Sequence, residues 1–343
     1  MCRSICLFAL LLLAGPTVAE SPVAAGYQEA IFSVADADKW VSTFRDVGGW
    51  EVIHDGDVDP ALLDAWELPD SAAAREVVIG NPGTERGFIR LLQFSGVQQV
   101  FMRGNAQVWD TGGWFDVNVR AVDLDEVQRE LMARDWQATS DTIEFNFGPF
   151  IVREWITRGP DGIVLAAIER VEPPLEGWPH LRKLSRAFNA TQIVPDIEAA
   201  RDFYRNKLGF KTYLDYDQAS KEAGPNVLGI PHNLADKIVR NISIIHPDGT
   251  NEGSIEILAF DGLEGANHAP KAVPPNLGVL SLRFPVVDVE AFHAFALQQE
   301  LDIVVEPVVV RTPPYGDWHL MTIRGPGGAW LEFYEQLETG EGR

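Results

Sequence analysis

The chain has 343 residues, with 28 Lys and Arg against 50 Asp and Glu, for a formal net charge of −22. That balance repels phosphate backbones and anionic bilayers, which argues against nucleic acid and membrane surfaces as partners. What remains open is a small-molecule ligand or a protein partner.

Met1 to Ala19 holds Arg3, an apolar run from Ile5 to Ala14, and the small residues Thr17, Val18 and Ala19. This is the pattern of a secretory signal peptide, so a secreted or periplasmic location is expected. The run is too short to span a membrane, and no later stretch is long enough either. Both cysteines, Cys2 and Cys6, fall inside it. The mature chain is therefore expected to lack disulfides, thiolate metal sites and cysteine nucleophiles.

The rest of the sequence repeats one grammar. Phe32 to Asp36 reads as a strand ending on a helix cap, followed by a buried helical face of Ala37, Trp40, Phe44 and Val47. Gly48 and Gly49 stop that helix, and two strands follow, 75–79 and 88–94, around Asn81-Pro82-Gly83. The pattern returns at Val117 to Asp123, with Leu124, Val127 and Leu131, then strands at 150–157 and 163–170 around Pro160-Asp161-Gly162. Pro presets one turn dihedral and Gly accepts the positive one. Glu172 to Lys183 breaks the period with three prolines and reads as a domain boundary.

The third copy is the most legible. Asn189 to Tyr216 gives a strand, a helix capped by Asp196 with Ile197, Ala200, Phe203, Tyr204 and Leu208 on one face, a stop at Gly209, and a new strand. Strands at 241–245 and 254–260 complete it. The fourth copy runs from Leu282 through Asp288, Val289, Phe292 and Phe295 to strands at 318–324 and 329–336. Each copy is a βαβββ module that cannot bury its helix and its sheet face alone, so the modules should pair.

Four βαβββ modules with strand–Asp–helix signals and tight Pro/Gly turns before the last strand resemble the vicinal oxygen chelate superfamily, which includes glyoxalase I, extradiol dioxygenases and bleomycin-binding proteins. The resemblance implies an α+β fold of two glyoxalase-like eight-stranded curved-sheet cups. With neighbouring modules paired, an N-terminal domain would span 27–171 and a C-terminal one 184–336, joined by a linker at 172–183.

In metal-using relatives, ligands come from the first and last strands of each module. The first position lies seven residues before the cap aspartate: here Glu29, Asp116, Asn189 and Ser281. The last-strand positions are Arg90, Ala166, Glu256 and Glu332. Pairing in sequence order places Glu256 and Glu332 in one cup, as acid and base or, with Asn189, as ligands of one divalent metal ion (manganese, magnesium, iron or zinc). The exchanged pairing, one with four and two with three, gives Glu29/Arg90/Ser281/Glu332 and Asp116/Ala166/Asn189/Glu256. The His-His-Glu set of iron-dependent relatives is missing.

Arg90 carries no lone pair for a metal, so it reads as a salt bridge or as a clamp for an anionic substrate. Tyr315 and Trp318 suit the wall of a ligand cup. His319 alternates with Met321 and Ile323 and is expected to face the cup beside Glu332, while His180, His232, His246 and His268 are expected to be exposed at turns. The resemblance implies an enzyme acting on a small oxygenated molecule, of isomerase, lyase or dioxygenase type. A metal-free sequestering protein and an interaction scaffold are the alternatives, and a homodimer is compatible with all three.

Overall fold

A computed structural model describes residues 21–139 and 142–338. The expected signal peptide and both cysteines lie outside the described residues. Module one comprises β1 (Glu29–Ser33), α1 (Ala37–Thr43), β2 (Glu51–Asp57), α2 (Pro60–Ala65), β3 (Ala73–Gly80) and β4 (Phe88–Ser95). Module two comprises β5 (Trp114–Ala121), α3 (Leu124–Met132), β6 (Gln137–Ala138), β7 (Ile143–Phe147), β8 (Phe150–Arg158) and β9 (Val164–Glu172). Module three has β10 (Leu184–Ile193), α4 (Ile197–Asp202), β11 (Lys211–Gln218), β12 (Arg240–His246) and β13 (Ser254–Phe260). Module four has β14 (Gly278–Pro285), α5 (Val289–Gln298), β15 (Asp302–Arg311), β16 (Asp317–Arg324) and β17 (Trp330–Gln336).

Each module helix opens on its aspartate. The carboxylates of Asp36, Asp123, Asp196 and Asp288 accept from the amides of Lys39, Glu126, Ala199 and Ala291, which would otherwise be orphaned in the first turn. The first and third helices then loosen into a π-turn, at Phe44–Gly48 and Phe203–Lys207. Gly49 ends the first in the left-handed conformation, at φ 71°.

The modules pair, but not in sequence order. One sheet runs β15-β16-β17-β14-β1-β4-β3-β2 and joins modules one and four; the other runs β11-β12-β13-β10-β5-β9-β8-β6, with β7 on β8, and joins modules two and three. The expected 27–171 and 184–336 halves are thus replaced by an outer pair enclosing an inner pair in the chain, and 172–183 links two modules of the same sheet. The charges account for the exchange. Pairing one with four sets Glu29 opposite Arg283 across β1 and β14 and puts both Arg90 and Arg283 among the same carboxylates.

The helices of both sheets share one continuous apolar core that includes Trp40, Phe44, Trp136, Tyr204, Phe284 and Phe333. Trp40 donates its indole N–H to Asp161 at 2.8 Å, tying module one to module two. Phe210 meets Phe284 at 5.9 Å between ring centres, tying module three to module four. The opposite face of each sheet forms a separate cup with its own apolar lining. Among the described residues no helix is long and apolar enough to cross a membrane.

Candidate functional site

The cup of modules one and four is filled. Arg90 donates to both oxygens of Glu29, at 2.9 and 3.1 Å, to Glu76 at 2.6 Å and to the Pro313 carbonyl at 2.9 Å. Arg283 donates to Glu29 at 2.8 Å and to Glu332, whose other oxygen accepts from the Ser281 hydroxyl at 2.8 Å. Burial alone would raise the Glu29 carboxyl, but the two guanidinium groups more than offset it and hold it below its ordinary value. Trp318 stacks on Tyr334 at 3.7 Å and on Tyr315 at 5.1 Å above this network. A hollow of about 420 Å³ opens between His54, Asp59, Arg311 and Pro313; of the network it meets only Pro313, whose carbonyl accepts from Arg90, and no charged member lines it. Deleting one member of such a buried network would leave an uncompensated charge, at a cost of about 3–5 kcal/mol.

The cup of modules two and three is open. It encloses about 490 Å³ between a floor from β5, β8, β10 and β13 and two covers, the β7–β8 hairpin and the 219–228 loop. Phe147 of the hairpin meets Tyr216 of β11 at 5.9 Å, closing one side. Phe145, Phe150 and Tyr213 add aromatic wall, and Asp116, Glu154 and Glu256 all face the cavity.

The strand registers make the two cups comparable residue by residue. Glu29 faces Arg283 where Asp116 faces Thr191. Arg90 lies beside Ile31 on β4 where Ala166 lies beside Asn118 on β9. Glu76 and Glu154 pair with Leu92 and Ile168, each two residues beyond the Arg90 or Ala166 position. Arg283 pairs with Glu332 where Thr191 pairs with Glu256, and Trp318 and Tyr334 give way to Arg240 and Leu258. The second cup therefore keeps all three carboxyl positions of the first and loses both guanidinium groups and the stacked aromatics. The cavity occupies the space they vacate.

Without those cations the carboxyls behave differently. Burial pushes Asp116 up to about 7, although hydrogen bonds from Thr191 and the charge of Arg103 partly restrain it. Burial, and then the Asp116 charge, push Glu154 up to about 8 against the pull of Arg120. Burial raises Glu256 well above its ordinary value, with Asp116 and Glu154 adding to the effect. Oδ1 of Asp116 has no hydrogen-bond partner, and neither does Oδ1 of Asn118. Arg103 acts on Asp116 only through space, because its nitrogens donate to the carbonyls of Gly112 and Asp110, each at 2.7 Å, and not to the carboxyl. Also lining the cavity, Arg120 lies over the Phe188 ring at 4.1 Å and Arg170 over Phe150 at 3.8 Å. Burial and then repulsion from Arg170 lower Arg120 to about 10, and its Nε is unpaired.

Neither cup offers the metal site that the resemblance implied. In the first, Arg90 occupies one ligand position, and Glu29 and Glu332 are taken up by arginine. In the second, Ala166 has no donor atom, while the Asn189 amide accepts from Asn118 and donates to Ser254 at 2.7 Å. Among the described residues no group of three His, Cys, Asp or Glu side chains is arranged to hold a metal ion. The donor set does not fit the divalent ion that the resemblance implied.

The expected site residues separate accordingly. Glu256 and Asn189 lie in the second sheet and Glu332 in the first, so the two glutamates can share neither a proton nor a metal. Arg90 is fully buried and spent on Glu29 and Glu76, which leaves it no capacity to clamp a substrate. Tyr315 and Trp318 fill the first cup rather than line an open one. His319 faces α5, with Glu290 at 3.6 Å, because its strand parity is that of Met321 and Ile323, which point to the helices. His246 and His268 are buried, not exposed.

Glu154, Arg120 and the β7 cover escaped the sequence reading. The signal for Glu154 was available in its match to Glu76 on the third strand, but a scheme confined to first and last strands passes over it.

Residues 186–333 match the family model of the Glyoxalase/Bleomycin resistance protein/Dioxygenase superfamily. Glyoxalase I from Zea mays aligns with a TM-score of 0.57 at 14% identity, covering 91% of this chain and 93% of that one. A proposed dioxygenase from Bacillus subtilis aligns at 0.53 and 14% identity, covering 91% and 85%. At this identity the likeness concerns the fold, which hosts several chemistries. No curated protein matches the chain.

Proposed function

We propose that this chain, whose residues 186–333 match the model of the glyoxalase, bleomycin-resistance and dioxygenase superfamily, is an enzyme that moves a proton on a small oxygenated molecule held in the cup of modules two and three. The observation that carries this reading is the contrast between the cups: equivalent carboxyls are locked by arginine in one and face an open, aromatic-walled cavity in the other. Titratable groups with shifted affinities in a cleft mark functional sites more often than chance.

Glu256 is the proton carrier in this reading. Burial and the neighbouring Asp116 and Glu154 raise its hold on a proton, which it can donate to a substrate oxygen. Asp116, raised to about 7, is present in both forms and can take a proton from carbon next to a carbonyl. The net change is a proton lost at carbon and one gained at oxygen, an isomerase or lyase type of step. The aromatic walls orient the substrate and the two covers limit water.

Incubation in D₂O with a panel of small α-hydroxy and α-keto compounds tests this by mass spectrometry. Protein-dependent deuterium uptake at carbon is expected, reduced about 100-fold or more in Glu256→Gln. Compounds that bind in the cup yet never exchange would leave a sequestering protein, the reading favoured by the loss of a ligand position at Ala166. Uptake unaffected by Glu256→Gln would refute the assignment.

A further inference from the structure

The comparison of the two cups also bears on what the open one accepts. In the filled cup, Arg90 lies between Glu29 and Glu76 and bonds both. At the matching place in the open cup stand Asp116, Ala166 and Glu154, with cavity where the guanidinium would be. A group of acidic residues alone would not define a site. Here, however, Asp116 is 2% exposed, lines the cavity and has an oxygen with no hydrogen-bond partner. Among the described residues, no Arg or Lys side chain forms a salt bridge to any of the three carboxyls, although every carboxylate of the sister network has one.

We infer that the cup binds a ligand with a planar nitrogen cation, a guanidinium or amidinium, whose head takes the place that Arg90 holds in the first cup. The inference deepens the proposed function and rests on the cup being the ligand site. The head bridges Asp116 and Glu154 through paired N–H···O bonds, the geometry that makes planar cations effective partners for carboxylates. The head takes Oδ1 of Asp116, the oxygen without a partner, so the second Asp116 oxygen and Glu256 remain to carry the two proton transfers. A flat body behind the head lies between Phe145, Phe147 and Tyr216. Farther along β5, Arg120 is 6% exposed, lines the cavity with an unpaired Nε and lies over Phe188. It suits an anionic or carbonyl group on the ligand, so the cavity offers both an acidic cluster and one buried cation.

Benzamidine, 4-amidinobenzoate, benzamide and benzoate form a probe set of one shape and different charge. Calorimetry with the whole protein is expected to show benzamidine binding at least about tenfold more tightly than its neutral isostere benzamide, the scale of a hydrogen bond to a charged group. 4-Amidinobenzoate should bind tighter still. Asp116→Asn and Glu154→Gln should each bring benzamidine down to the benzamide level, while Arg120→Met should remove only the added benefit of the carboxylate. The two acid variants are close in shape to the originals, and circular dichroism spectra matching wild type would exclude unfolding as the cause.

If benzamide or benzoate binds as well as benzamidine, the cation inference is overturned while the cup remains a ligand site. If no probe binds and no panel compound exchanges deuterium, both readings fail. Stabilisation by manganese or magnesium, without any by benzamidine, would also overturn the inference.

Discussion

Asp116 is the residue at which the site and the stability of the protein meet. Its carboxyl titrates near 3.8 when unperturbed and near 7 in the folded chain, so between those values the folded state holds more protons than the unfolded one. Stability contributed by the group is therefore present at low pH and lost as pH rises through about 4 to 7, by about 2–4 kcal/mol for a shift of this size. Glu29 acts in the opposite sense. Its lowered value gives stability above the ordinary carboxylate range that is lost as pH falls. Denaturation followed from pH 4 to 8 should show a decline toward pH 8 in the wild type that Asp116→Asn reduces without removing, because Glu154 and Glu256 are raised in the same range; an unchanged slope would mean that the Asp116 carboxyl is ionised without penalty. The sequence made Glu256 and Glu332 legible as carboxyls on last strands. It did not reveal that they lie in different cups, because four positions per cup leave out Arg283, the cation whose counterpart in the other cup is the neutral Thr191. His319 failed for a local reason: its parity with Met321 and Ile323 was clear, but which face of β16 meets the helices was assigned the wrong way.

The strands, the helices and their aspartate caps followed from period and turn chemistry, since apolar spacing, Asp at the N-cap and Gly at the stop are local signals. Module two departs from the pattern after Trp136. Its second strand is divided into the short β6 and the β7 hairpin, and the hairpin leans across the cup until Phe147 reaches Tyr216. No local signal announces such a cover, because its aromatic residues read equally well as core. Phe147 is half-buried at the end of β7 and packs on Phe145 and Tyr216 at the edge of the cup's apolar lining. Phe147→Ala should thus leave stability within about 1 kcal/mol of wild type while speeding ligand release several-fold, through loss of a closing contact. Stopped-flow measurement with benzamidine, or with any compound found to exchange, separates the two effects. A release rate equal to wild type would mean that the hairpin is not a cover.

At the scale of the whole molecule, the two cups are one architecture with two fillings. The pairing of module one with four and two with three was open in the sequence, because each module carries the same edge and either partner satisfies the fold. Side-chain chemistry settles it, by gathering Arg90, Arg283 and three glutamates in one place and leaving the inner pair without either cation. The measurement that tests this account most directly is to restore what the inner cup lacks. In an Ala166→Arg/Thr191→Arg double variant, the new guanidinium groups should neutralise Asp116, Glu154 and Glu256 as their counterparts do in the first cup. The protein is expected to fold, to lose the decline in stability between pH 5 and 8, and to bind neither benzamidine nor any exchanging compound. A folded double variant that binds the same compounds with wild-type affinity would contradict the claim that the absent arginines make this cup the functional one.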